Sequence, residues 1–420
     1  MIDPAEWKRL LTPHLEPEAH IRRLRDAVRC RSVTGNEAEF ASFLETELEA
    51  IEIRADRADF LPGRPNLWAR RDGVGSGPKL LVIGHTDTVH AHGWREHWLG
   101  TEREDPFGAA EADGAIWGRG AADLKAGICA AIGALELLDR FGARLNGDLL
   151  FAFVGDEESG EPGMGVSAGM RDLVRRMAAG EIARPDFALY TEPTRLSVFT
   201  AQMGFFIADV RIIGKSAYFG LPEQGIDALR AGHTALSALW QHSDEMAGET
   251  EHPLIGRSFA LVTEFRSGES IAVPGECNFS LIRKLRPGEC LDRAAANLER
   301  AVRSRIEGIE GVRVEIGYPA GRDHPLGGTP AEIDPDIPAV GNLRCALEAV
   351  LPGAGSIGGA PYWSESAFLV NEMNCPTVYC GPGDIAHCHT VMERVEVSEY
   401  LAAIVAFAIF FASYCGVAKN

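Results

Sequence analysis

The sequence contains no Cys-x-x-Cys pair. Its nine cysteines are odd in number and scattered, which argues against both a zinc ribbon and a disulfide framework. Free thiols in a reducing compartment are expected. Basic residues are in deficit: 41 Lys and Arg against 60 Asp and Glu give a formal net charge of −19. That argues against nucleic acid or an anionic membrane as partner, while leaving the local potential of a buried site open. The amino-terminal stretch MIDPAEWKRLL has acidic residues and no apolar core. A secretory signal is therefore not expected, and a cytoplasmic location is. Long apolar runs are scarce as well. One stretch, residues 400–415, is nearly free of charge but slightly short for a membrane span. It reads as a buried terminal helix. Internal repeats and low-complexity tracts are absent.

A chain of 420 residues with 46 glycines fits a loop-rich α/β enzyme of two domains. Helices are predicted over 17–30, 37–51 and 124–141. Short apolar runs at 79–84, 149–155, 186–190 and 376–380 read as buried strands. This alternation implies a mostly parallel sheet flanked by helices. The texture changes near residue 200. A long strand over 202–213, a helix over 225–243, strands over 259–265 and 278–285, a helix over 291–306 and a strand over 312–318 follow. That order suggests an inserted α+β, ferredoxin-like domain. The expected division is 1–199 with 322–420, interrupted by 200–321.

Five side chains capable of binding metal each follow an apolar run, or open a helix beside one. They are His85 in LVIGHTDTV, Asp123 in GRGAADLKAG, Glu158 in FVGDEESG, Glu192 in LYTEPT and His389 in GPGDIAHCHT. Open α/β sheets build sites outside the carboxyl ends of their strands, so these distant segments can meet. Two histidines and three carboxylates suit a pair of zinc-like ions. Asp87 is expected to fix the His85 tautomer through its carboxylate. Asp123 suits a carboxylate bridging two cations, which lie about 3.5–4 Å apart in such sites. The alternative for Asp123 is an ordinary helix cap. Asp156, Glu157 and Glu158 repel one another. An apolar run before them and Gly160 after them place them at a sheet edge, where cations would make them tolerable. One Glu can then bind metal while its neighbour serves as general base.

The stretches GHTDTV, DPFG, IWGRGAADLKAG, DEESG, EPT and GPGD with His389-Thr390 resemble those of a zinc-hydrolase superfamily. It contains aminoacylase, acetylornithine deacetylase, succinyl-diaminopimelate desuccinylase and glutamate carboxypeptidase. The resemblance spans nearly the whole chain. It implies one zinc on His85, Asp123 and Glu192, and another on Asp123, Glu158 and His389, with cobalt or manganese as substitutes. It implies Glu157 as general base, Asp87 as the residue orienting His85, and a cis peptide at Asp123–Leu124. It also implies that the inserted domain is a lid that pairs two copies into a homodimer.

Two stretches depart from the family pattern. Where the family has Gly-Lys-x-Ala-His, this chain has Gly214-Lys215-Ser216-Ala217-Tyr218. The family histidine donates to an oxyanion in the neighbouring subunit. Tyr218 keeps a donor but cannot carry positive charge. Where the family often has Trp-Thr-Asp-Ala, this chain has Trp363-Ser364-Glu365-Ser366-Ala367. Arg283, with Lys284 as its rival, resembles the arginine that grips a substrate carboxylate. Hydrolysis of a small N-acyl amino acid or related N-acylated amine is therefore expected, the acetylornithine deacetylase-like branch being most similar. The alternatives are a peptidase acting on short peptides and a metal-binding pseudoenzyme.

Overall fold

The computed structural model describes residues 3–158, 164–248, 250–268 and 271–418. The chain divides into two compact units. The first comprises Met1–Thr200, Ile333–Gly358 and Phe368–Asn420; the second comprises Ala201–Glu332 and Gly359–Ala367. The expected return at residue 322 thus moves to Ile333, and a short later segment joins the second unit.

In the first unit a sheet runs in the order Ala55–Leu61, Arg64–Arg71, Leu149–Val154, Leu80–His85, Phe187–Tyr190, Thr377–Tyr379, Val198–Gln202. The four strands from Leu149–Val154 to Thr377–Tyr379 are mutually parallel. Leu80–His85 and Leu149–Val154 are buried along their whole length. Both read as continuous apolar runs because helices cover both faces. The hairpin Ala55–Leu61 with Arg64–Arg71 pairs antiparallel and was not legible as an apolar run. Its outer strand alternates with exposed charges.

The helix expected to open at residue 124 begins instead at Ala126 and ends at Phe141. Before it, Ala121–Lys125 forms a single kinked turn in which Asp123 and Leu124 leave helical geometry. The Asp123–Leu124 peptide is cis. Gly127 lets this helix approach the strand end that carries Glu192: a Cβ there would sit 2.2 Å from the Thr191 carbonyl oxygen. Val397–Cys415 is long and apolar enough to cross a membrane by length and composition. It packs against the Ala126–Phe141 and Pro338–Val350 helices with Ala403–Ala412 buried, as a core helix does.

His20, on the helix Pro17–Arg29, is buried in the first unit. Burial, and then the Arg23 guanidinium, lower its pKa to about 4. The unfolded chain therefore binds the proton first, and stability falls as pH drops from about 6.5 to about 4. The loss reaches at most about 3 kcal/mol. Denaturant titrations at pH 7 and 4.5 should show this slope in wild type and lose it in His20→Gln.

The second unit has the expected order of elements: Gly204–Ile213, helix Ala228–Ala247, Phe259–Ser267, Glu276–Leu285, helix Leu291–Ile306 and Arg313–Gly317. The long strand predicted over 202–213 is Gly204–Ile213, and a further strand, Val198–Gln202, precedes it. The second unit's sheet is antiparallel, in the order Phe259–Ser267, Glu276–Leu285, Gly204–Ile213, Arg313–Gly317. Its core forms where alternate residues Phe206, Ala208, Val210 and Ile212 meet Ala231, Ala235, Leu239, Leu298 and Val302 of the two helices.

Candidate metal centre

The five expected ligands all belong to the first unit, and the structure brings them together. His85 is the last residue of its strand. Glu192 lies two residues beyond Phe187–Tyr190. Glu158 follows Leu149–Val154, and His389 sits in the loop after Thr377–Tyr379. The parallel strands thus deliver four ligands from their carboxyl ends. Asp123 enters from the kinked turn. One Asp123 oxygen, Oδ1, lies 3.1 Å from His85 Nε2, and the other, Oδ2, lies 3.2 Å from His389 Nε2. His389 Nε2 is also 3.0 Å from Glu158 Oε1, and His85 Nε2 is 3.9 Å from Glu192 Oε1. Two overlapping donor sets result: His85, Asp123 and Glu192, and Asp123, Glu158 and His389. Asp123 therefore faces a histidine with each oxygen and is not a mere helix cap.

His85, Asp123, Glu158 and Glu192 are buried, whereas His389 is exposed. Burial disfavours charge on His85, yet Asp123, Glu192 and Glu157 outweigh it and hold the imidazole well above its usual range. Burial opposes charge on Asp123 too, but both imidazoles hold it far below the usual carboxylate range. Burial and repulsion from Asp123 push Glu158 up to about 8. Hydrogen bonds to Asp123 and Glu158 raise His389 to about 11. The carboxylates thus draw protons onto whatever basic groups are near. Such a surplus of buried negative charge fits cations. Nitrogen and oxygen donors in these numbers fit two zinc-like ions.

The acidic turn is held by a network that the sequence does not announce. Asp156 has a left-handed backbone, φ +73°, a conformation rare in residues other than glycine. Its carboxylate accepts from the Gly165, Val166 and Ala168 N–H groups and from Arg64 Nη2. Arg64 in turn forks onto the buried Glu37. Gly160, expected to mark this turn, lies outside the described residues. His389 likewise has a left-handed backbone, with φ +60°.

Asp87 acts differently from expectation. The group against His85 Nδ1 is the backbone carbonyl of Asp87, at 2.9 Å, and the carboxylate stands off at 3.8 Å. The Nδ1–H donates to that carbonyl, which leaves Nε2 to face the metal position. The carboxylate is taken by stronger local claims. It accepts from the backbone N–H of Glu157 at 3.2 Å, from that of Glu158 at 2.9 Å and from Thr34 Oγ1 at 3.0 Å. Asp87 therefore anchors the backbone of Glu157 and Glu158, with burial pushing its carboxyl up to about 7. Asp87→Asn turns one acceptor into a donor that opposes an N–H. It should lower kcat or metal affinity by about 10- to 100-fold, read by steady-state kinetics and metal titration. Wild-type values in both would remove Asp87 from the site.

The remaining candidates belong to the second unit. Tyr218 is 62% exposed, and its backbone pairs with Ala272. Arg283 is buried, and its Nη2 donates to Glu289 Oε1 at 2.5 Å. Within that unit its guanidinium serves the Glu289 carboxylate, which also accepts from Ser258 Oγ and the Arg286 N–H. Lys284 Nζ donates to the Ile255 carbonyl at 2.6 Å. Glu365 is fully buried.

Residues 81–413 match the model of peptidase family M20/M25/M40. A succinyl-diaminopimelate desuccinylase of Methylorubrum extorquens is 33% identical over 386 residues, covering 89% of this chain and 92% of that protein. An acetylornithine deacetylase of Myxococcus xanthus is 27% identical over 390 residues, covering 89% and 91%. An M20 family metallo-carboxypeptidase of Sulfolobus solfataricus shares the fold with a TM-score of 0.74 at 16% identity, covering 94% of this chain and 99% of that one. With two histidines and three carboxylates gathered into two donor sets that share Asp123, the chain belongs to peptidase family M20/M25/M40, a family of metal-dependent hydrolases.

Proposed function

We propose that this hydrolase uses two zinc ions to cleave the amide bond of a small N-acyl amino acid or related N-acylated amine. The observation that carries the reading is Asp123, whose two oxygens face two different histidines. His85, Asp123 and Glu192 would hold one ion, and Asp123, Glu158 and His389 the other. When bound, the ions supply Lewis-acid activation of water and of the amide carbonyl. The chain's own residues do the rest. The Glu157 carboxylate takes a proton from the attacking water and returns it to the departing amide nitrogen, giving acid and free amine. Glu157 is half-buried beside His85 and Glu158, so it is open to both water and substrate. The names of the relatives support a deacylase: one removes acetyl from acetylornithine, the other succinyl from succinyl-diaminopimelate.

Pairing of two copies through the second unit belongs to the same proposal, as does a cytoplasmic location. Tyr218, Phe219 and Leu221 stand exposed together, an apolar tip suited to meet another copy. There the Tyr218 hydroxyl would donate to the developing oxyanion, a contact whose loss costs about 2.7–4 kcal/mol. The test is amine release from a panel of N-acyl amino acids, N-acylated amines and short peptides. Metal-loaded, chelated and Tyr218→Phe proteins are compared. Metal-dependent release from the acylated set supports the proposal. Release from peptides alone would replace the substrate class, and silence with two metals bound would overturn the reading. A silent Tyr218→Phe would remove Tyr218 from the mechanism.

A further inference from the structure

Arg119 and Glu393 are both buried, at 2% and 0% exposure, and form an ion pair across 274 positions of sequence. Neither belongs to the groups of side chains that could hold a metal ion. A buried ion pair is a poor source of net stability, because desolvation offsets its attraction. Its usefulness has to lie in what else the two groups hold.

Every remaining polar arm reaches a segment that carries a metal ligand. Glu393 Oε2 takes Arg119 Nη1. Glu393 Oε1 accepts the backbone N–H of Ala122 at 3.2 Å and of Asp123 itself at 3.1 Å. Those two N–H groups belong to the kinked turn before the helix at Ala126. Buried N–H groups need a partner, and here the partner is a carboxylate from the far end of the chain. Arg119 Nη2 donates to the carbonyl of Thr390, the neighbour of His389, at 3.3 Å. Arg119 Nε donates to the carbonyl of His90, in the loop after His85 and Asp87, at 3.1 Å. The backbone continues the same join: Gly118 N–H donates to the Glu393 carbonyl, and Arg394–Glu396 pairs with Ala115–Trp117.

We infer that Arg119 and Glu393 are a positioning pair that locks the backbone of Asp123 to the loop carrying His389, and so sets the spacing of the two metal positions. The inference rests on the reading of Asp123 as a bridging ligand. Neither side chain is among the metal donors, so the pair acts through the backbone. The planar fork of arginine suits this work, since three acceptors in different directions are served by one rigid group. Lysine would keep the charge beside Glu393 and lose the fork.

The test uses the full chain, loaded with cobalt(II) and with zinc, as wild type, Arg119→Lys, Glu393→Gln and the double variant. Glu393→Gln keeps an oxygen for the two N–H groups and loses the charge facing Arg119. Chelator competition is expected to show one metal equivalent weakened by about 10- to 100-fold in each single variant, the range for groups that support ligands. The visible spectrum of the cobalt protein should change with it. The double variant should be no weaker than the worse single one, because the two act as a unit. Wild-type affinity for both equivalents and an unaltered cobalt spectrum would overturn the inference, even if activity or Tm fell. So would losses that add in the double variant. Should wild type itself take up no stoichiometric metal, the metal centre fails first, and the inference with it.

Discussion

Glu157→Gln will lower kcat by roughly 10²- to 10⁴-fold, the range that a positioned acid or base supplies, and will leave metal content unchanged. The two halves of this expectation come from different features. Glu157 neighbours a ligand in sequence, and its backbone N–H is held by Asp87 Oδ1. Its side chain, however, stands outside the two donor sets that share Asp123. Glutamine preserves size and polarity and removes only the ability to accept and return a proton. KM should therefore change little while kcat collapses, the pattern of an interaction needed only in the transition state. Metal titration alongside steady-state kinetics decides the matter. An active Glu157→Gln would place the base elsewhere. A variant that loses metal would show Glu157 to be a third donor beside His85 and Glu158, a grouping the geometry also contains.

Four of the five candidate donors were legible because each follows a short apolar run that reads as a buried strand, and parallel strands end at one edge; Asp123 comes instead from the kinked turn. The supports were not. Arg64 holds Glu37 across 27 positions, and Glu393 holds the Asp123 N–H across 270. A charge's burial partner is set by tertiary pairing, which leaves no periodic trace in the chain. Asp87 shows a subtler limit. Its spacing from His85 suggested a carboxylate on the outer ring nitrogen, but the Asp87 backbone carbonyl takes that place. The carboxylate went to two N–H groups of the acidic turn. The start of the helix after Asp123 was misplaced for a related reason. Leu124 and Lys125 fit a helical pattern, yet the turn must leave helical geometry to aim the aspartate between two histidines. The second unit's order of elements was readable from alternation, whereas its claim on Gly359–Ala367 was not.

Asp123→Asn should abolish tight binding of the second metal equivalent and nearly all activity, and it should also remove the stabilisation that metal confers. In wild type, Oδ1 and Oδ2 each face a histidine at little more than 3 Å. Asparagine offers one carbonyl oxygen and one NH₂ group, and the NH₂ cannot serve as a ligand. One side of the site therefore loses its shared donor, and both sides lose the negative charge that lies between them. The affinity loss should exceed the roughly 100-fold typical of supporting residues, since a direct ligand is removed. Stability reports this independently of turnover. Metal that binds only the folded chain stabilises it by about 2.7 kcal/mol at a concentration 100 times its dissociation constant. Wild type should thus gain Tm on loading and lose it with chelator, while Asp123→Asn should gain at most half as much. A second consequence separates this from general damage. Repulsion from Asp123 is part of what pushes Glu158 up to about 8, so removing that charge lets Glu158 ionise at lower pH. The metal-free variant should then bind fewer protons near neutrality than wild type. If the variant instead takes up two equivalents with wild-type affinity, Asp123 does not bridge, and the pairing of the two donor sets into one centre is wrong.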